Sequence, residues 1–260
     1  SQTVEISRFD AYVERTINIP DGVDSNRITT GVVTDPDGTV RHVPTKIEMI
    51  DGKYYAVINS LTNSLYSVIW NPVEFSDVEN HWAKDAANDM GSRMVVDGTG
   101  SGLFSPNRDI TRAEFTAILV RGLGLKLDNE TSAFSDVKAA DWYASAVATA
   151  YEYHLITGFE DGTFRPADKI TREQALTMIA KAMQLTGLQD KLSSPASEIT
   201  LSAYTDADEI GGWARAGIAD SLQAGVSTGR STSVLAPKAF ITRAEVATLM
   251  QRLLQKSELI

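Results

Sequence analysis

From residue 83 onward, apolar side chains recur at helical spacing, and the segments that carry it come in pairs. Helices are predicted over 83–93 and 111 to about 123, over 143–153 and 171 to about 185, and over 214–224 and 242 to about 254. In the second helix of each pair the apolar positions coincide. Ile118-Leu119, Met178-Ile179 and Leu249-Met250 are equivalent, as are Leu123, Met183 and Leu254. One amphipathic helix cannot bury such a stripe alone, so the three are expected to converge as a pseudo-threefold bundle. The first 73 residues follow another rule. Short β-branched and aromatic runs at 12–19, 28–34, 39–50, 53–59 and 65–70 are separated by Pro20-Asp21-Gly22, Asp35-Pro36-Asp37-Gly38 and Asp51-Gly52. Asp-Gly between such runs signals a hairpin, and a small β-sandwich-like module of about five to seven strands is predicted. Asn71-Pro72-Val73-Glu74 forms the join.

The paired segments are copies in strict register. Counting from Trp82, Trp142 and Trp213, a Gly follows sixteen residues later at Gly98, Gly158 and Gly229. Pro106, Pro166 and Pro237 come at twenty-four, and Thr111-Arg112, Thr171-Arg172 and Thr242-Arg243 at twenty-nine and thirty. About three quarters of the chain is therefore a tandem array. Linkers are expected over 126–133 and 189–203, the second carrying Ser193-Ser194-Pro195 and reading as mobile.

Composition narrows the partners. Acidic residues outnumber basic ones by 34 to 24, giving a formal net charge of -10, with no Lys/Arg cluster to track phosphates, so nucleic acid is an unexpected partner. Cysteine is absent, which excludes disulfides, zinc-thiolate sites and thiol catalysis. No apolar run approaches the roughly 18–20 residues of a membrane helix, and no membrane insertion is expected. The chain opens Ser-Gln-Thr-Val-Glu, without a signal pattern or initiating Met, and reads as a fragment or processed product whose first strand is cut.

Each second helix opens alike, as Thr111-Arg112-Ala113-Glu114, Thr171-Arg172-Glu173-Gln174 and Thr242-Arg243-Ala244-Glu245. Thr at the N-cap with Glu or Gln at the third helical position is a capping box. Arg at the first helical position needs a separate reason, because a cation there opposes the helix dipole. Two readings stand level. The guanidinium and free helix amides form an anion site, or the Arg bridges to an Asp of a neighbouring repeat at Asp77, Asp136 or Asp206. Trp82, Trp142 and Trp213 open the first helices. Packing is the commoner role for such a Trp, whereas a partly exposed one can stack on a sugar face. The loops from Gly98 and Gly158 lack the strand and Gly-Lys-Ser/Thr of a phosphate loop, and their glycines are read as permitting positive φ. Glu160 and Asp161 lack the spaced ligands of an EF-hand, so no metal or cofactor is expected. His42, His81 and His154 have no metal or triad spacing, and no carboxylate pair stands out as an acid/base couple, so no catalytic residue is assigned.

Phe-Ser-Asp-Val before Trp, Gly-x-x-Asp-Gly-Thr-Phe-x-Pro in the second copy and Ile-Thr-Arg-Ala-Glu together resemble the S-layer homology repeat, over about residues 74–260. The resemblance implies a multi-domain, mainly α chain: the β-sandwich-like module at 1–73, then helix-loop-helix repeats at 74–127, 133–188 and 203–260. These would form a three-pronged pseudo-trimer around a central three-helix bundle. It further implies non-covalent anchoring of a secreted surface protein to the wall of a Gram-positive bacterium. The partner would be an acidic secondary cell wall polymer carrying pyruvylated N-acetylmannosamine, bound in grooves between repeats. Arg112, Arg172 and Arg243 then take the anion reading, the ketal carboxylate lying at the helix N-terminus. Trp82, Trp142, Trp213, Asp77, Asp136, Asp206, Gly98, Gly158 and Gly229 are the other expected ligand-binding residues. Gln174 replaces the motif's Glu, Met94 and His154 replace a family Gly retained as Gly225, and the third loop reads Gly229-Arg230-Ser231. The grooves are therefore expected to be unequal. An extracellular monomer without catalytic activity is expected. A wall-bound glycoside hydrolase, or a lattice protein whose activity lies outside this segment, is the alternative.

Overall fold

The computed structural model describes residues 8–35, 38–127, 132–192 and 198–260. The Pro36-Asp37 turn centre and the Ser193-Ser194-Pro195 stretch lie outside the described residues. Among the described residues, six strands form two antiparallel sheets. In one, β1 (Arg8–Asn18) and β4 (Thr45–Ile50) flank β5 (Lys53–Thr62). In the other, β3 (Val40–Val43) and β6 (Leu65–Ile69) flank β2 (Thr30–Thr34). The run 39–50, expected as one strand, is two strands in different sheets, because Pro44 between them has no N–H to donate to a ladder. The hairpin at Asp51-Gly52 forms as predicted, with φ of 49° and 77° at the two turn residues. The sheets approach closely at Gly31, whose N–H donates to Thr45 Oγ1 at 3.0 Å and where any Cβ would strike that hydroxyl.

Helices α1 (Lys84–Ser92), α3 (Ala144–Glu152) and α6 (Arg215–Gln223) are the first helices of the three repeats. The second helices are α2 (Arg112–Gly122), α4 (Arg172–Leu185) and α7 (Arg243–Lys256), and a single turn, α5 (Glu198–Leu201), precedes the third repeat. Every second helix starts where predicted, and Thr111, Thr171 and Thr242 each make the full capping box, with Glu114, Gln174 and Glu245 respectively.

Two expectations need correction. The chain is not mainly α but mixed α/β, with six strands beside the helices. Nor do α2, α4 and α7 bury their stripes in one another as a central three-helix bundle with three prongs. Each packs chiefly on the first helix of the next repeat around the cycle: α2 on α3, α4 on α6, and α7 on α1, with thinner contacts of α7 to α2 and α4. The physical reason is that the first helices carry complementary apolar faces. Met90, Val147 and Ile218 are buried, so each second helix finds its partner locally.

What the second helices do share is their entry segments. Ile110 N–H donates to Ile241 O, Ile241 N–H to Ile170 O, and Ile170 N–H to Ile110 O, each at 3.1 Å, with all three side chains fully buried. The β-sheets sit against this assembly. Tyr12 Oη donates to Leu123 O at 2.6 Å, Arg41 to Gly124 O at 2.6 Å, and Arg93 to Thr45 O at 3.0 Å.

Candidate functional site

The three aspartates and three arginines meet at the same peptide units. Asp77 accepts from the N–H groups of Phe104 and Ser105, both at 2.7 Å. Asp136 does so from Phe164 and Arg165 at 2.8 Å, and Asp206 from Leu235 and Ala236 at 2.9 and 2.6 Å. The second residue of each pair is left-handed, with φ of 58° at Ser105, 58° at Arg165 and 53° at Ala236. The carboxylate holds a backbone shape that a side-chain-bearing residue rarely adopts. From the opposite side, the preceding repeat's arginine takes the carbonyl of the first residue. Arg243 Nε donates to Phe104 O at 2.7 Å, Arg112 Nε to Phe164 O at 2.9 Å, and Arg172 Nε to Leu235 O at 2.8 Å. Arg and Asp thus clamp one peptide between adjacent repeats rather than forming the direct ion pair of the bridging reading.

This accounts for arginine at the first helical position. The arginines are 7%, 5% and 7% exposed at 112, 172 and 243, and their charge is spread over carbonyls and ring faces. The Arg112 guanidinium lies 4.9 Å from the Phe159 ring centroid and 4.8 Å from that of Phe164, while Arg243 lies 4.6 Å from Phe104. Burial pulls the Arg112 guanidinium down to about 10 and lowers Arg172 and Arg243 as well, so Arg112 still carries its charge at neutral pH. The helix amides, by contrast, are used up. Arg112 N–H and Ala113 N–H donate to Asp168 O and Pro166 O. Arg172 and Glu173 serve Ala239 and Pro237 in the same way, and Arg243 and Ala244 serve Arg108 and Pro106. An anion would meet a guanidinium, not the cradle of free amides expected from sequence.

The loop glycines divide. Gly100, Gly102 and Gly162 have the positive φ expected of them, whereas Gly98, Gly158 and Gly229 do not. Their need is space. A Cβ at Gly158 would collide with the Phe134 ring and lie 2.8 Å from Thr163 O. One at Gly98 would lie 2.9 Å from Leu103 O, and one at Gly229 would lie 2.7 Å from the Tyr204 ring. The aromatic before each Ser/Thr-Asp pair thus packs on the backbone sixteen residues past the Trp.

The tryptophans are not core residues. Trp82, Trp142 and Trp213 are 65%, 65% and 61% exposed, which overturns the packing reading. Two open grooves collect them with the arginines. The first, of about 720 Å³, is lined by Arg112 of the first repeat, the Gly158–Asp161 loop, Arg165, Gln174 and Lys181 of the second, and Trp213 of the third. The second, of about 740 Å³, is lined by Arg172 of the second repeat, the Thr228–Arg230 loop, Glu245 and Arg252 of the third, and Trp82 of the first. Each groove therefore combines an arginine, a loop and a tryptophan from three different repeats. The remaining combination, Arg243 with Gly98 and Trp142, has its guanidinium drawn onto Asp97 O at 2.5 Å, and Arg121 pairs with the Asp97 carboxylate. The asparates stand behind the loops, in the clamp, and line neither of these grooves.

Sequence reasoning missed a second recurring cation. Arg121, Lys181 and Arg252 each lie ten residues past the capping Thr, and Lys181 and Arg252 face the grooves. Burial lowers the Lys181 ammonium. The signal was present, since the register that picks out the Thr-Arg pairs picks out these positions too.

Comparison with known proteins gives three matches to the S-layer homology domain, at residues 74–116, 133–176 and 203–247, together just over half of the chain. The chain is 33% identical over 247 residues to an amylopullulanase of Thermoanaerobacterium thermosulfurigenes, covering 94% of this chain and 13% of that protein. It is 35% identical over 198 residues to exoglucanase XynX of Acetivibrio thermocellus, covering 76% and 18%. It is 29% identical over 177 residues to the surface-layer 125 kDa protein of Lysinibacillus sphaericus, covering 67% and 14%. The chain thus spans less than a fifth of each of these relatives.

Proposed function

The chain belongs to the S-layer homology domain family, and from that premise we propose that its grooves bind a pyruvylated secondary cell wall polymer. Family membership places it outside the cell, associated with the cell wall or S-layer, as a module that anchors surface proteins. The observation that carries the finer reading is the first groove. Arg112 is buried yet faces an open cleft, with its Nε bonded, its guanidinium against the Phe159 and Phe164 rings, and no protein hydrogen-bond acceptor for its two terminal nitrogens among the described residues. A forked guanidinium with two donors facing a cleft suits a carboxylate, and the exposed face of Trp213 on the same cleft suits a sugar ring. A ketal carboxylate fixed to a hexose presents both at once. The overall negative charge opposes an acidic polymer only weakly, since screening reduces it beyond roughly 8 Å at physiological salt.

The assignment of Arg112, Arg172, Arg243 and the three tryptophans to ligand is part of this proposal. The aspartates act behind them, holding the loops in shape, while Gly158 and Gly229 lie in the loops that line the grooves. The proposed units are the β-module over 1–73 and repeats over 74–127, 133–188 and 203–260, in a monomer. The relatives named as glycan-degrading enzymes match over a small share of their length, so their catalysis is assigned to the rest of those proteins and none is proposed here. The test is co-sedimentation with purified wall sacculi, with and without the polymer and its pyruvyl groups. Binding is expected only when both are present, and retention on sacculi stripped of either rules the reading out.

A further inference from the structure

The two grooves bring the same inventory of charge, three cations and two carboxylates each, but they spend it differently. In the second groove, Glu245 reaches across from the start of α7. Its Oε1 accepts from Arg172 at 2.6 Å and from Arg230 Nε at 3.0 Å, and its Oε2 accepts from Arg230 at 3.0 Å. Thr228 O takes a further Arg172 nitrogen at 3.2 Å, so each of the three guanidinium nitrogens donates to the protein. The pair is sheltered, with the Arg172 and Glu245 side chains 6% and 14% exposed. In the first groove the equivalent residue is Gln174. It makes the same cap, its Oε1 accepting from Thr171 N–H at 3.2 Å, but it brings no charge to Arg112. Asp161, the carboxylate paired in that groove, is held by Arg165 at 3.0 Å, at the surface.

We propose that the third helical residue of the following repeat decides which groove accepts an anion. Gln174 leaves Arg112 open to ligand, and Glu245 occupies Arg172 as a built-in counter-ion. A ligand carboxylate entering the second groove must displace a protein carboxylate already bonded to two arginines. One entering the first groove displaces water. The substitution that distinguishes the grooves keeps the helix cap, because this chain itself makes the cap with either residue. The inference rests on the anion reading above and deepens it by assigning specificity to one position.

Each groove has its own reporter, Trp213 in the first and Trp82 in the second. Indole N–H shifts are followed by two-dimensional NMR in the full chain, titrated with a 4,6-pyruvylated N-acetylmannosamine methyl glycoside and, separately, with inorganic phosphate. In the unaltered protein Trp213 is expected to respond at about tenfold lower concentration than Trp82, the ratio set by one charge-assisted hydrogen bond. Glu245→Gln should bring the Trp82 response down to the Trp213 range. Gln174→Glu should raise the Trp213 midpoint by about tenfold with Trp82 unmoved. If the glycoside moves both indoles at equal concentration in all three proteins, the inference is overturned and the polymer reading stands. If phosphate moves Trp213 first and the glycoside moves neither, the groove ranking stands and the polymer reading falls. If neither probe moves either indole, both fall. Should Glu245→Gln lose its folded spectrum, Gln174→Glu alone decides.

Discussion

At the inner face of each repeat boundary an aspartate and an arginine hold the same peptide, at Phe104, Phe164 and Leu235, with distances between 2.6 and 2.9 Å throughout. At the outer face the same arginines end in three different ways. Arg112 ends in an open cleft, Arg172 on Glu245, and Arg243 on Asp97 O. The buried half of the side chain is held to one geometry because an unmet carbonyl or amide there is costly wherever it occurs. The solvent-facing half has no such obligation and diverges. A single residue type can therefore be a folding element at its Nε and a recognition element at its terminal nitrogens.

The comparison is broken most directly at the clamp. Asp136→Ala strands two backbone N–H groups and releases a left-handed residue, and it should cost about 3 kcal/mol in urea unfolding. A loss below about 1 kcal/mol would mean the loop shape is held by something else. The arginines should then split. Arg172→Met removes three hydrogen-bonded contacts and a sheltered ion pair, for about 2–3 kcal/mol, whereas Arg112→Met removes one carbonyl bond and ring contacts, for about 1 kcal/mol. Equal losses would erase the distinction between outer faces.

Acid should sharpen the same contrast. Burial would lift the Glu245 carboxyl, but the Arg230 hydrogen bonds, Arg172 beside it and Thr242 N–H together hold it below the usual carboxylate range. A depressed folded value means the stabilisation is present above the unfolded value near 4.3 and lost as pH falls through the folded one. Stability should fall on acidification below that point, and Glu245→Gln should remove this part of the dependence. Smaller still is a gain. His154 is exposed with φ of 58°, where the third repeat has Gly225 at 69°, so His154→Gly should stabilise by roughly 0.5–1 kcal/mol in thermal unfolding. At the far end, Trp213→Ala should leave stability within about 0.5 kcal/mol while weakening retention on sacculi, because its ring is exposed.

The helices were legible because cap and periodicity agree. Thr111, Thr171 and Thr242 fixed three starts to the residue, and the first helices fall within a residue or two of their predicted spans. Pro44 was readable as a strand breaker but was passed over inside an otherwise extended run. Helix partners were not legible, since an apolar stripe states that it must be covered and not by what. That is why α2 was expected against α4 and α7 rather than on α3. Register also located every clamp residue without saying which way it faces. The tryptophans, exposed at about two thirds of their surface, and Gly98, Gly158 and Gly229, needed for close approach rather than for φ, show the same limit.

The cycle of Ile110, Ile170 and Ile241 has a mechanical consequence. An open stack of repeats can peel under tension from whichever end is pulled, one unit at a time. Here the third unit's entry segment bonds to the first and the second, so each unit is gripped by both of the others. Pulling on any one of them loads two buried backbone bonds together, and no repeat can be detached, added or deleted without opening the circle. A tether built this way resists up to a shared threshold and then gives way all at once.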